Sequence, residues 1–153
     1  MLRISKLADY GTVVMVYLAK RSPLLCNARD IAHHTHLNVP TVSKLLKRLV
    51  SSGLLSSIRG VQGGYRLQRT ARDISVAQII YALDDSRGLT ECSTHKNECS
   101  LQNVCHIQNN WRLISQSIES ALDNVSLETL AQPMLSNADL ERVKALATGV
   151  NRE

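Results

Sequence analysis

Residues 38–67 read N-V-P-T-V-S-K-L-L-K-R-L-V-S-S-G-L-L-S-S-I-R-G-V-Q-G-G-Y-R-L. Asn38 can cap a helix, and Pro40 suits a first turn, where its missing N–H costs nothing. Val42, Leu45, Leu46 and Leu49 fall at i, i+3, i+4 and i+7 and form one apolar stripe. The opposite face carries Thr41, Ser43, Lys44, Lys47 and Arg48, and Ser52-Gly53 ends the run. Leu54 to Ile58 then reads as a short strand. A glycine-rich tip follows, Arg59-Gly60-Val61-Gln62-Gly63-Gly64, and after it Tyr65-Arg66-Leu67. A hairpin placed directly after such a helix is the wing of a winged helix-turn-helix. Small hydroxyls near the helix start can reach base edges, and the lysines behind them can reach phosphates. Arg59 at the tip suits the negative potential of a minor groove. The groove-facing set is therefore Thr41, Ser43, Lys44, Lys47, Arg48, Arg59, Gly60 and Tyr65. The glycines do not make a nucleotide loop, because no Gly-Lys-Ser/Thr and no helix follows them. In an ordinary hairpin they would only supply positive φ.

Upstream, residues 28–36 predict a short helix with Ile31, Ala32 and Leu37 inward, the first half of the helix-turn-helix. His33, His34 and His36 crowd there, but only one pair of them, at i and i+3, shares a helix face, so they read as solvated surface rather than a metal site. Cys26 stands alone and reads as a small, partly buried hydrophobe. Residues 5–20 predict a helix striped by Leu7, Tyr10, Val14, Tyr17 and Leu18, capped by Ser5 and stopped at Ser22-Pro23. Asp9 falls early in that helix, where the dipole favours an acid.

Downstream, Ser75 caps a helix striped by Val76, Ile79, Ile80 and Leu83. A long amphipathic helix runs from Ile107 to Leu122. Its stripe of Ile107, Trp111, Ile114, Ile118 and Leu122 is widened by Leu113 and Ala121. In a DNA-binding chain such a helix pairs two copies across a palindrome, with Trp111, Ile114, Ile118 and Leu122 at the contact. The other reading is a helix packed only within its own chain. Residues 126–132 and 137–147 predict two short helices, capped by Ser126 and Asn137.

Between the last two long helical patterns lies Glu91–Trp111, polar and aperiodic. It holds Cys92, Cys99 and Cys105 in the spacing C-x6-C-x5-C. Three soft thiolates in one loop can close round a metal or cluster. The short paired knuckles of structural zinc sites are missing, although His95 and His106 could complete one. Iron–sulfur cluster, zinc and redox thiol all remain open on chemistry alone.

At 153 residues and 44% hydrophobic, the chain can bury a core without staples. No run of about 18 apolar residues points to a membrane span. The start, with Arg3 and Lys6, is unlike a secretory signal. A cytoplasmic setting is expected, and there clustered thiols serve as ligands or sensors rather than disulfides. Charge is split along the chain. Residues 1–72 carry twelve Lys and Arg against two acids, a net of +10, and residues 73–153 carry six against eleven, a net of −5. The first half therefore suits a polyanion and the second half another task.

Taken together, several motifs carry a resemblance: L-R-I-S-K-L-A-D-Y-G, V-P-T-V-S-K-L-L-K, the wing S-S-I-R-G-V-Q-G-G-Y-R-L, I-S-V-A-Q-I-I, and L-T-E-C-S with the three-cysteine loop ending in N-W. Over residues 1–132 the chain resembles the Rrf-type winged-helix regulators, the IscR- and NsrR-like proteins, and most of all the SUF-system assembly regulators. The resemblance implies a homodimeric repressor of cluster-assembly genes, with an iron–sulfur cluster (two-iron or four-iron) on Cys92, Cys99 and Cys105. In IscR-like members a histidine three residues after the third cysteine is the fourth ligand, but Gln108 occupies that position here. In some NsrR-like members an acid of the first helix is donated instead by the partner subunit, and Asp9 falls at that place.

The expected architecture is mainly α with a small β-hairpin wing. A winged helix-turn-helix domain spans 1–83, a cluster-binding loop 84–106, and a dimerisation helix with C-terminal helices 107–153. The expected function is a cluster-sensing, DNA-binding repressor of SUF-type genes. It would bind a palindromic double-stranded operator as a homodimer, with no membrane, no small-molecule substrate and no catalysis. The alternatives are a nitric-oxide-sensing repressor of the same fold, a zinc-dependent regulator, and an iron–sulfur carrier or electron-transfer protein. The carrier needs neither a wing nor a basic half.

Overall fold

The computed structural model describes residues 4–84, 89–90, 93, 99, 105–132 and 141. Six α-helices and one hairpin are found there: α1 (Lys6–Arg21), α2 (Ala28–Thr35), α3 (Val39–Ser51), β1 (Leu55–Ile58), β2 (Gly64–Leu67), α4 (Val76–Leu83), α5 (Gln108–Asp123) and α6 (Leu127–Leu130). A single 3-10 turn, Ala71–Asp73, leads into α4. Mainly helical with a two-stranded wing, this is the architecture expected from the sequence.

Local chemistry explains most boundaries. The Ser5 side chain accepts from the Ala8 amide, Asn27 from Asp30 and Asn38 from Thr41, so three helices start on a capping oxygen. Ser75 and Gln78 make a reciprocal capping box on α4. His36 ends α2 in the left-handed region, at φ 55°, and makes the tight turn into α3. At the wing tip Gly60 has φ 123°, a conformation an L side chain rarely adopts, so glycine there makes the turn possible. The hairpin is antiparallel, pairing Leu55 with Leu67 and Ile58 with Gly64.

The core lies between α1, α3 and α4, closed by α2 and the base of the wing. Val14, Met15, Ile31, Val42, Leu45, Leu46, Leu49, Ile74, Ile79 and Leu127 are all fully buried. The whole predicted stripe of α3 is therefore inside, as are Val14 and Leu18 of α1. In α4 the fully buried positions are Ala77 and Ile79, with Leu83 almost so. Val76 and Ile80 are only half-buried. The helix is packed from more than one side, so a single stripe describes it poorly. Cys26 is 5% exposed within the core, more deeply than a partly buried hydrophobe. Leu127 carries the segment after α5 back into this core. Its amide donates to the Ile74 carbonyl at 2.7 Å, and the Val76 amide donates to Val125 at 2.9 Å. The predicted 126–132 helix is thus α6. The predicted 137–147 helix lies, apart from Glu141, outside the described residues.

Candidate nucleic-acid interface and thiol site

The polar face of α3 stands opposite its buried stripe. Lys44 and Lys47 are exposed, and Thr41 and Ser43 are half-buried near the N-terminus. Asn38 Oδ1 accepts from the Thr41 amide at 2.8 Å, so the cap fixes the start of the face that would enter a groove. Arg59 and Gly60 are exposed at the wing tip, beside a fully exposed Val61. Tyr65 is half-buried against the core. Its backbone pairs with Cys26, Cys26 N to Tyr65 O at 3.0 Å and Tyr65 N to Cys26 O at 2.9 Å. These two bonds tie the returning strand of the wing to the connector after α1, so wing and helix-turn-helix are held in one frame. Arg66, outside the sequence-derived set, adds a second exposed cation to the wing. The arginine's alternation along the strand was the signal for it.

Arg48 is placed differently from its neighbours. Its guanidinium Nη1 donates to the Leu83 carbonyl at 2.6 Å, and the residue is half-buried between α3 and α4. The three histidines are exposed, as expected of solvated surface. His34 also stacks on Tyr17, with ring centroids 5.3 Å apart, and its Nδ1 lies 2.8 Å from the Asp30 carbonyl. Sequence reasoning missed this link between α1 and α2.

Of the loop thiols, Cys99 and Cys105 are free and half-exposed, while Cys92 lies outside the described residues. Cys105 stands just before α5, whose N-cap is Ile107 and whose first residue is Gln108. The start of the loop is tied down at two points. The Leu89 amide donates to Ser115 Oγ of α5 at 3.2 Å. Thr90 and Ser93 close a turn in which Ser93 N donates to the Thr90 carbonyl at 3.0 Å and Thr90 N to Ser93 Oγ at 3.0 Å. Asp9 is exposed in the first turn of α1. Soft, solvent-reachable thiols suit an iron–sulfur cluster in donor type. Among the described residues of one chain, however, no three His, Cys, Asp or Glu side chains converge as a metal-binding group.

Helix α5 buries none of its residues. Leu113 is 55% and Ile114 45% exposed, with Trp111, Ile118 and Leu122 half-buried. Its C-terminal end is anchored, because Ser75 Oγ donates to Asp123 Oδ1 at 2.6 Å beside the α4 cap. One end of the helix is thus fixed to the winged helix, and the other adjoins Cys105.

A winged helix with hydroxyls and lysines on the free face of its second helix defines a DNA-binding transcriptional regulator. Residues 4–133 match the Rrf2 model, described as an iron-dependent transcriptional regulator. The chain belongs to the Rrf2 family. It is 34% identical over 145 residues to the HTH-type transcriptional regulator IscR of Xenorhabdus nematophila, covering 90% of this chain and 85% of that one. It is 32% identical, with the same coverage, to IscR of Yersinia pseudotuberculosis. Among solved structures it is similar to CymR (YrzC), the global cysteine regulator of B. subtilis, at TM-score 0.67 and 30% identity over 86% of this chain and 97% of that one. It is also similar to T. potens IscR, at TM-score 0.64 and 30% identity over 96% and 91%. No described helix is long and apolar enough to cross a membrane.

Proposed function

We propose that this regulator senses an iron–sulfur cluster and, as a cytoplasmic homodimer, represses SUF-type cluster-assembly genes from a palindromic operator. The observation that carries the reading is one of placement. Cys105, a free and half-exposed thiol, stands just before α5, a helix with an uncovered apolar face, and the same chain presents a DNA-reading face on α3 and the wing. Cys92, Cys99 and Cys105 are the proposed ligands, with Asp9 donated by the partner subunit as the fourth. When bound, the cluster would supply a response to iron and sulfide supply as well as to oxidants. This chain's own residues do the rest. Thr41 and Ser43 read base edges, Lys44 and Lys47 hold phosphates, and Arg59, Gly60 and Tyr65 form the wing contact. Trp111, Ile114, Ile118 and Leu122 bury the face of α5 against a second copy, which sets the spacing of the two recognition helices. The working division is a DNA-binding unit over 1–83, a ligand loop over 84–106 and a dimer unit over 107–153, with no catalytic residue.

The test is operator binding by electrophoretic shift with cluster-loaded and cluster-stripped protein, alongside the Asp9→Ala variant. The reading expects the two states to differ in affinity. It also expects Asp9→Ala to alter the cluster's visible spectrum while leaving DNA binding intact. Unchanged spectra in that variant would remove Asp9 from the ligand set. Absence of promoter affinity in every state would favour a carrier instead.

A further inference from the structure

The last residue of α4 is gripped from two sides. Its carbonyl accepts a hydrogen bond from Arg48 Nη1 of α3 at 2.6 Å. The side chain of Leu83, 1% exposed, fills the notch that Gly11 leaves in α1. A Cβ at position 11 would overlap Leu83 Cδ1 and lie 3.3 Å from its Cγ. The last carbonyls of a helix have no partner within the helix, and a guanidinium there is favoured by both hydrogen bonding and the dipole. One residue later, the Asp84 amide closes the helix on the Ile80 carbonyl at 2.8 Å, and the cysteine loop begins. On α3, Arg48 is five residues past Ser43, about 7.5 Å along one rigid helix. A shift of Leu83 would therefore strain or break the side-chain bond that joins the end of α4 to the recognition helix.

We propose that Arg48 is a positioning residue that ties the recognition helix to the start of the cysteine loop, so that operator affinity follows the state of the loop. The inference rests on the loop being the sensor. It stands in place of the phosphate contact that the sequence suggested for this arginine, because its Nη1 donates to a backbone carbonyl at the α3–α4 junction and holds the side chain there.

The experiment measures operator affinity across a potassium chloride series, for loaded and stripped protein, in wild type, Arg48→Met, Arg48→Lys and Gly11→Ala. Amide exchange at Asp84 is followed on the stripped protein. In Arg48→Met the loaded-to-stripped affinity ratio falls at least threefold toward one, the salt slope stays, and Asp84 exchange quickens. Arg48→Lys restores part of the ratio. Gly11→Ala pushes the same Leu83 from the other side while touching no DNA-facing residue, and it changes the ratio at least twofold. It therefore carries the test even where Arg48→Met fails to fold. An unchanged ratio in Gly11→Ala, or in Arg48→Met with a salt slope reduced by about one, overturns the coupling; the second result would make Arg48 a phosphate contact. A wild-type ratio of one would overturn the sensor reading itself, and the coupling with it.

Discussion

Adding one methyl group at position 11 tests how tightly α1 and α4 are keyed together. In an exposed helix, Gly→Ala stabilises by about 1 kcal/mol, because alanine has less backbone freedom to lose. At Gly11 the new Cβ would overlap Leu83 Cδ1 and lie 3.5 Å from Leu45 Cδ2. Leu83 is 1% exposed and Leu45 fully buried, so any displacement of either side chain takes place inside the core rather than into solvent. Overpacking of this kind costs about 1–3 kcal/mol, which outweighs the propensity gain. Gly11→Ala should therefore lower stability by about 1 kcal/mol. The sign should reverse once the leucine is removed. Leu83→Ala alone should cost about 2–5 kcal/mol, and adding Gly11→Ala to it should recover about 1 kcal/mol, since the methyl then enters vacated space. Urea unfolding of the four proteins of this cycle, at one fixed protein concentration, measures both signs. A Gly11→Ala single variant more stable than wild type would refute the keyed contact.

Other outcomes follow from the same structure. Lys44→Ala and Lys47→Ala should each weaken binding to all DNA sequences alike and lower the salt slope by about one, read by fluorescence anisotropy across a salt series. Burial pushes the Cys26 thiol up, with nearby Arg21 partly opposing and Asp30 adding to the shift. The thiolate is the reactive form, so in the stripped native protein iodoacetamide should label Cys99 and Cys105 well before Cys26, with Cys26 reacting only on unfolding. Ile114→Glu places a charge on the uncovered face of α5 and should weaken self-association at least about tenfold in sedimentation, while the melting profile of the winged helix persists.

The fold was legible where one physical cause acts alone. The α3 stripe has a single buried side, so its period of 3.6 predicts the burial of Val42, Leu45, Leu46 and Leu49 without error. The caps at Ser5, Asn38 and Ser75 are local hydrogen bonds between residues three apart, and all three form. Legibility failed where long-range packing decides. Arg48 belongs to the outer face by periodicity, yet a carbonyl 35 residues away captures it. In α4 a small residue, Ala77, is buried more deeply than Val76, because close approach of another element rewards size rather than hydropathy. The clasp of Leu127 on Ile74 joins segments more than 50 residues apart, and no short window contains it. The thiol site was visible as a cluster of residue types. Its ligand count was not, because the spacing of residues in one chain carries no sign of what a second copy would donate.

The most direct test of the central claim is the iron and acid-labile sulfide content of the full chain purified without oxygen, read with its visible absorption. The account predicts a coloured protein with iron and sulfide in matching amounts, and loss of both when Cys105 is replaced by alanine. A colourless protein holding zinc, or one whose iron comes without sulfide, would contradict it.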